Sequence, residues 1–256
     1  MTRANWATGL QAAVLLGLVA VWEILPRAGI VPEFFLPPFT KALGAIVSNS
    51  GELATHTLST LWKVVVSLLL ACGGGIIVGA AIGSVALLRS VLLPVFSSLF
   101  AIPIIIIYPL MTAWFGIDAQ SKIIFASVHG FIPVVLQTAA GVQNIDSRLI
   151  VAGRSMGASR LQLLYRIILP AAVPTILSSV KLGGIMCLVG VIVAEMMVSA
   201  RGLGFLITKY RTMLESSGVY AAVLLVLLLV VLYTYLIQKL ERYVAGDRVQ
   251  KGSGLG

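Results

Sequence analysis

The sequence predicts an all-α, polytopic membrane protein with six transmembrane helices. Three observations predict this fold class. Hydrophobic residues make up 59% of the 256 residues, only 11% are charged, and the mean hydropathy is +1.05. Soluble domains are roughly half apolar and about a quarter charged. The chain is also long enough for about six apolar runs of roughly 20 residues, the length that crosses a bilayer as a helix.

Polar or proline-marked connections separate the apolar runs and set the order of the elements. The predicted spans cover about 7–25, 57–88, 91–115, 121–142, 171–198 and 219–237. They form one transmembrane domain over 1–256, with a polar loop over 143–170 and a flexible tail over 246–256. The first run has no small-residue cleavage site behind it, so we expect an uncleaved span. Between the first two spans, residues 38–50 predict a short surface helix with Thr40 as its N-cap.

Glycines and prolines predict how the spans pack. Gly75, Gly79 and Gly83 recur every four residues in the second span, and small residues at this spacing let two membrane helices approach closely. Three prolines between 94 and 109 interrupt the backbone hydrogen bonds of the third span. We therefore expect a kinked third helix whose freed carbonyls find partners inside the bundle.

The positive charges predict the orientation in the membrane. Six spans put both termini on one side, together with the 143–170 loop. That loop concentrates Arg148, Arg154, Arg160 and Arg166, and more lysines and arginines fall on this side than on the other. Because positive charge collects in cytoplasmic loops, both termini and the loop are expected in the cytoplasm.

The loop itself contains the signals of two short helices. Asp146 can cap the first helix, and Gly157 breaks it. Ser159 followed by Gln162 is a capping-box pattern that starts a second helix. Pro170 marks the bend into the fifth span. The predicted product is a stiff helix–corner–helix element.

The order of residues in this loop resembles the EAA loop of permease subunits of bacterial ABC importers, whose pattern is E-A-A-x3-G-x9-I-x-L-P. Ala152, Gly157, Ile167, Leu169 and Pro170 match it with every spacing preserved. Such a match inside a loop with the expected orientation is a specific signal.

The chain departs from the pattern at two positions and resembles the family well beyond the loop. Val151 replaces the usual glutamate and Gly153 the second alanine. The segments FGIDAQSKI, GVQNIDSRL, VAEMMVSARGLGFLI and LPPFTKAL are similar to the branch with permeases for taurine, aliphatic sulfonates, nitrate and bicarbonate. The resemblance covers most of residues 20–245.

The resemblance implies a type I ABC importer permease fold with a cytoplasmic coupling helix, in the bacterial inner membrane. Two copies of the chain would form a pathway for a small solute, such as a sulfonate, nitrate or bicarbonate. Two ABC ATPase subunits would bind the 143–170 loops of the two copies, and a periplasmic or lipid-anchored binding protein would deliver the solute. The coupling residues it implies are Asp146, Arg148, Ala152, Arg154, Gly157, Ala158, Ser159, Arg160, Ile167, Leu169 and Pro170.

Four residues in or near the spans are candidates for the solute pathway: Lys181, Glu195, Met186 and Tyr108. Ionisable residues in lipid cost about 2.5–3.5 kcal/mol on insertion scales, so they are functional candidates by default. Lys181 either lines the path and offers a positive charge to a small anion, or snorkels, or pairs with a carboxylate or backbone carbonyls across the dimer. Glu195 either acts in gating or bonds the backbone of the SARGLG turn behind it.

Other classes of protein fit the sequence less well. The chain has no Walker-type phosphate loop, so we expect ATP and Mg²⁺ on the ATPase subunit, no cofactor on this chain and no enzymatic activity of its own. No interleaving of basic and aromatic residues indicates nucleic-acid binding. An ion-gradient-driven secondary transporter would need carboxylates or broken helices at the midplane and an internal repeat, but the sequence has no clear repeat and few acidic residues in its spans. A membrane scaffold would not need the glycine corner.

Overall fold

The structure is a computed structural model that describes residues 2–252, and every regular element in that range is helical. A 3₁₀ turn covers Ile104–Ile107 and a π-helical turn covers Leu164–Ile168. The α-helices are α1 (Thr2–Arg27), α2 (Phe39–Ser48), α3 (Ser50–Ser84), α4 (Ala86–Ala101), α5 (Tyr108–Phe115), α6 (Ala119–Gln143), α7 (Ser147–Ser155), α8 (Arg160–Leu163), α9 (Leu169–Met197), α10 (Leu203–Thr212) and α11 (Ser216–Gly252).

The predicted all-α membrane fold is confirmed. Five stretches of helix are long and apolar enough to cross a bilayer: Gly9–Arg27, Ser50–Ser84, Ala119–Gln143, Leu161–Met197 and Ser216–Val244. The pair formed by α4 and α5 passes the same test only when its two helices are taken together, which gives the sixth span.

The third span is more than kinked, because its helix stops and starts again. The stretches Ala86–Ala101 and Ile104–Phe115 meet at an angle of 84°. Ile102 is extended, with φ −76° and ψ 130°, as expected for a residue that precedes a proline. Pro103 has no N–H for a helical hydrogen bond, so the helix ends before it. Pro94 is accommodated inside α4.

The helices that extend furthest beyond their predicted spans are α3 and α11. The second span begins at Ser50 rather than at 57, because only Asn49 separates α2 from α3. Helix α11 continues to Gly252, so residues 246–252 of the predicted flexible tail are helical, and 253–256 lie outside the described residues. No proline interrupts the sequence behind the sixth apolar run, so nothing in it forces the helix to stop.

The chain divides into two compact units, with boundaries inside α3, α9 and α11. The first unit joins the chain up to Ser59 with Glu195–Leu227. Its core is a cluster of buried residues from α3, α10 and α11, namely Leu53, Leu206, Ile207, Tyr210, Ala221 and Ala222.

Within the first unit, α1 caps the surface helix α2. This helix begins at Phe39, so Thr40 is not its N-cap, and Pro38 at that position provides no side-chain cap. Glu23 of α1 replaces the cap. Its carboxylate accepts hydrogen bonds from the Thr40 N–H at 3.0 Å and from the Thr40 hydroxyl at 2.8 Å.

The second unit joins Thr60–Ala194 with α11 from Leu228 onward. Glycines allow two of its helices, α3 and α6, to pack closely. A Cβ on Gly79 would lie 2.6 Å from the Val135 carbonyl oxygen, and one on Gly83 would lie 2.7 Å from that of Ala139. The predicted glycine face therefore packs directly on the backbone of α6. Hydroxyls add bonds between helices, as between Thr138 and Ser179 at 3.2 Å.

Candidate coupling loop and membrane cavities

The polar loop folds as the capping signals predicted. The Asp146 carboxylate accepts a hydrogen bond from the Arg148 N–H at 2.9 Å at the start of α7. The Ser159 N–H donates to Gln162 Oε1 at 2.8 Å, and the Gln162 N–H donates to Ser159 Oγ at 3.3 Å. This reciprocal pair is a complete capping box at the start of α8.

Gly157 forms the corner between α7 and α8. Its φ is +77°, in the left-handed region that other residues rarely adopt. The N–H groups of Gly157 and Ala158 donate to the carbonyls of Arg154 and Gly153 at 2.9 and 3.1 Å, which closes the helix end. A Cβ at this position would meet nothing within 4 Å. The need for glycine is therefore conformational rather than steric.

Gly153 sets how closely the two arms of the corner pack. It is buried, and a Cβ there would lie 2.5 Å from Ile167 Cδ1 and 2.7 Å from Leu163 Cδ2. The departure from the usual alanine thus has a steric reason, because these two side chains occupy the space that a methyl group would need.

The entry into the fifth span differs from the prediction. The helix does not end at Pro170, since one continuous stretch of helix runs from Leu161 to Met197. The π-helical turn precedes the proline, and the Leu169 N–H donates to the Leu164 carbonyl five residues back. A widened turn lets the helix continue past a residue that lacks an N–H and crowds the preceding carbonyl.

The outer surface of the loop is both apolar and cationic. Val151 is 61% exposed and Met156 is 87% exposed, and Leu161 and Tyr165 are exposed as well. Arg148, Arg154 and Arg166 are exposed and form no ion pair within residues 2–252, whereas the side chain of Arg160 lies outside the described part of the structure. Ala152 and Pro170 are exposed, whereas Ala158, Ile167 and Leu169 are half-buried. Such a surface suits a protein partner that supplies apolar pockets and carboxylates.

The four pathway candidates do not come together. Lys181 is half-buried in α9 and makes no ion pair or hydrogen bond within the described residues. Glu195 is 1% exposed, and its Oε2 accepts a hydrogen bond from the Gly204 N–H at 3.1 Å. This bond is the one expected if Glu195 supports the turn behind its helix. Tyr108 is also buried and packs edge-on against Phe125, with ring centroids 5.0 Å apart.

Met186 lines a cavity at the break in the third span. This cavity has a volume of about 250 Å³, and a neighbouring one of about 220 Å³ shares Pro103, Ile104 and His129 with it. His129 Nδ1 is buried and has no hydrogen-bond partner among the described residues. The position of His129 in the walls of both cavities was not predicted from the sequence. The available signal was a polar residue in the apolar run that also holds Pro133.

A polar cluster in the first unit was also not predicted. Glu52 Oε1 lies 2.5 Å from Lys209 Nζ, and Glu52 Oε2 accepts a hydrogen bond from the Tyr210 hydroxyl at 2.7 Å. Burial, reinforced by the Glu52 carboxylate, raises the pKa of Tyr210, so this hydroxyl stays a donor at neutral pH. The Gly202 N–H donates to His56 Nδ1 at 2.9 Å. These bonds fasten α10 to the start of α3. No group of three metal-ligating side chains occurs within the described residues.

Six apolar spans, a cavity beside a broken helix and a capped polar loop are typical of a membrane transport subunit. The chain belongs to the family of binding-protein-dependent transport system inner membrane components, whose model matches residues 72–246. It is thus the permease type of subunit found in ABC importers, as the loop pattern predicted.

Relatives agree with this assignment. TauC, the taurine transport system permease protein of Escherichia coli, is 29% identical over 93% of this chain and 90% of its own length. SsuC of the same organism, named as an aliphatic sulfonates transport permease, is 32% identical over 88% of this chain and 87% of its own length. The nitrate import permease protein NrtB of Leptolyngbya laminosa is 27% identical over 95% of this chain and 87% of its own length.

Two inward-facing structures of the MetNI methionine ABC transporter share the fold. Their TM-scores are 0.60 and 0.61 at 21% identity, over 72% and 74% of this chain and 94% and 96% of theirs.

Proposed function

We propose that two copies of this chain form the pathway of an ATP-driven importer and that residues 146–170 transmit the motion of an ATPase subunit to it. The capped helix–corner–helix geometry carries the proposal. Its ends are fixed by side-chain bonds, and its arms are packed together at Gly153. Because it continues into the fifth span without a break, movement of the loop is passed to α9.

The orientation follows from charge. The loop, both termini and their arginines lie in the cytoplasm, where the ATPase subunits bind ATP and Mg²⁺. The exposed Val151 occupies the position where the family usually has glutamate, so the facing pocket of the ATPase is apolar there. A periplasmic or lipid-anchored binding protein delivers the solute from the other side.

The solute is a small anion. Relatives named for taurine, aliphatic sulfonates and nitrate support this class. Lys181 adds a half-buried cation to the fifth span, where burial strengthens its attraction for an anion.

Copurification and uptake test the coupling role together. The wild-type chain should bring down a nucleotide-binding subunit and, with its binding protein, support uptake into liposomes only with ATP. Arg154→Glu should reduce the recovered ATPase about tenfold, as expected for reversal of a charge at a docking surface. Arg242→Glu is the matched control, because this exposed arginine lies outside the loop. Uptake without ATPase or ATP would instead identify an ion-coupled carrier.

A further inference from the structure

We propose that His129 is the hydrogen-bonding residue of a solute site at the break in the third span, and that this site takes an organic sulfonate rather than a compact inorganic anion. The inference rests on the proposed transport function and narrows its substrate class. Three features of the second unit carry it: the non-helical backbone, the imidazole and the apolar walls.

The backbone at the break has a form that lipid does not tolerate. Ile102 and Pro103 are extended between α4 and the 3₁₀ turn, and both line the larger cavity. Irregular backbone at membrane depth occurs where it is buried in protein or faces a polar cavity, because its carbonyls need partners. In transporters, discontinuous helices of this kind surround solutes.

The imidazole of His129 lies where the two cavities meet. It lines both, and its ring lies 6.1 Å from that of Phe125. A neutral imidazole offers one donor and one acceptor. Nδ1 is buried with no partner among residues 2–252, and a buried polar group without a hydrogen bond is unfavourable. A sulfonate oxygen would accept that bond from the imidazole tautomer with its proton on Nδ1.

The walls select the chemistry of the solute. Around His129 they consist of apolar side chains, among them Ile104, Phe125, Ile132 and Met186. An ion such as nitrate or bicarbonate carries polar oxygens on every side and would lose its hydration against these walls without replacement. An alkanesulfonate places its headgroup at the imidazole and its chain against the apolar walls. Met186 adapts to chains of different shape.

Nitrogen NMR tests the site directly, because the chain has only two histidines. Permease labelled with ¹⁵N-histidine, purified through a histidine-free tag and bound to its unlabelled ATPase in nanodiscs, is titrated with 1-butanesulfonate, nitrate or bicarbonate. His56→Gln assigns the signals and keeps an acceptor for the Gly202 N–H. We expect butanesulfonate to shift the His129 ring signals saturably and to leave those of His56 unchanged. Unchanged His129 signals, or an equal shift with nitrate or bicarbonate, would overturn the proposal.

Uptake by the full transporter provides the second arm. His129→Leu should lower ATP-dependent butanesulfonate uptake about tenfold, the equivalent of one lost hydrogen bond, and His129→Gln should retain it within about threefold. His56→Gln is the control and should keep uptake at the wild-type level, because His56 lies in the first unit and lines neither cavity. If His129→Leu does not assemble with the ATPase, the uptake of His129→Gln and the NMR titration still determine whether the solute binds at His129. Normal ATPase copurification with uptake indifferent to His129 would reject this site and leave the proposed function standing.

Discussion

At the scale of single residues, Gly157 and Gly202 are two of the four described glycines with a positive φ, which other residues reach only with strain. Gly157 has φ +77° in open space, and Gly202 has φ +120° against the Glu195 carboxylate. The first fixes the angle of the loop, and the second lets the chain turn close to a buried acid. Both positions therefore predict specific effects of substitution.

We expect Gly157→Pro to uncouple the permease from its ATPase without preventing insertion. Proline holds φ near −65° and removes the N–H that bonds the Arg154 carbonyl at 2.9 Å. ATPase recovered by copurification should fall about tenfold, the effect of about 1.4 kcal/mol. The matched control is Gly157→Asn, because asparagine tolerates the left-handed region and should keep most of the binding. Equal recovery with proline and asparagine would contradict a role for the corner.

We expect Gly202→Ala to lower the thermal midpoint of the purified protein more than Gly29→Ala does. Both glycines have positive φ, and Gly202, with φ +120° and ψ 169°, lies in a region essentially restricted to glycine, where another residue costs about 1–3 kcal/mol. Only at Gly202 would the new methyl group also overlap the Glu195 carboxylate, whereas nothing lies within 4 Å at Gly29. The difference between the two midpoints measures the added cost at Gly202 from its backbone region and from the overlap with Glu195 together. Equal midpoints would show that the buried acid moves aside freely.

At the scale of secondary-structure elements, the contact between α3 and α6 depends on glycine. Gly79→Ala should destabilise the protein, since a Cβ there would lie 2.6 Å from the Val135 carbonyl and force two backbones apart. Overpacking of this kind costs about 1–3 kcal/mol. Gly73→Ala, in the same helix with nothing within 4 Å, is the control. Thermal unfolding in one detergent should separate the two variants, and similar midpoints would argue against close packing.

The elements also differ in how far the sequence could predict them. The capped helices of the loop were predictable, because Asp146, Ser159 and Gln162 act on backbone groups within three residues of themselves. The complete break at Pro103 was not, since a proline alone does not distinguish a kink from a break; Pro94, in the same span, stays inside a helix. The closeness of Gly153 to Ile167 depends on the packing of two helices and leaves no local pattern. His129 is functionally informative only through its cavity, and no sequence period marks a cavity.

At the scale of the whole molecule, the transport proposal depends on which side of the membrane holds the loop, and cysteine labelling tests it. Ser155→Cys in α7 and Ser48→Cys in α2 replace exposed serines with a side chain of similar size. The native Cys72 and Cys187 are 8% and 0% exposed, so they should react little. A membrane-impermeant maleimide added to intact spheroplasts should label Ser48→Cys at once and Ser155→Cys only after lysis. The reverse order would put the arginine-rich loop outside the cell and beyond the reach of any cytoplasmic ATPase. Labelling of both sites before lysis would reveal mixed orientation, in which the excess of positive charge is too small to fix the topology.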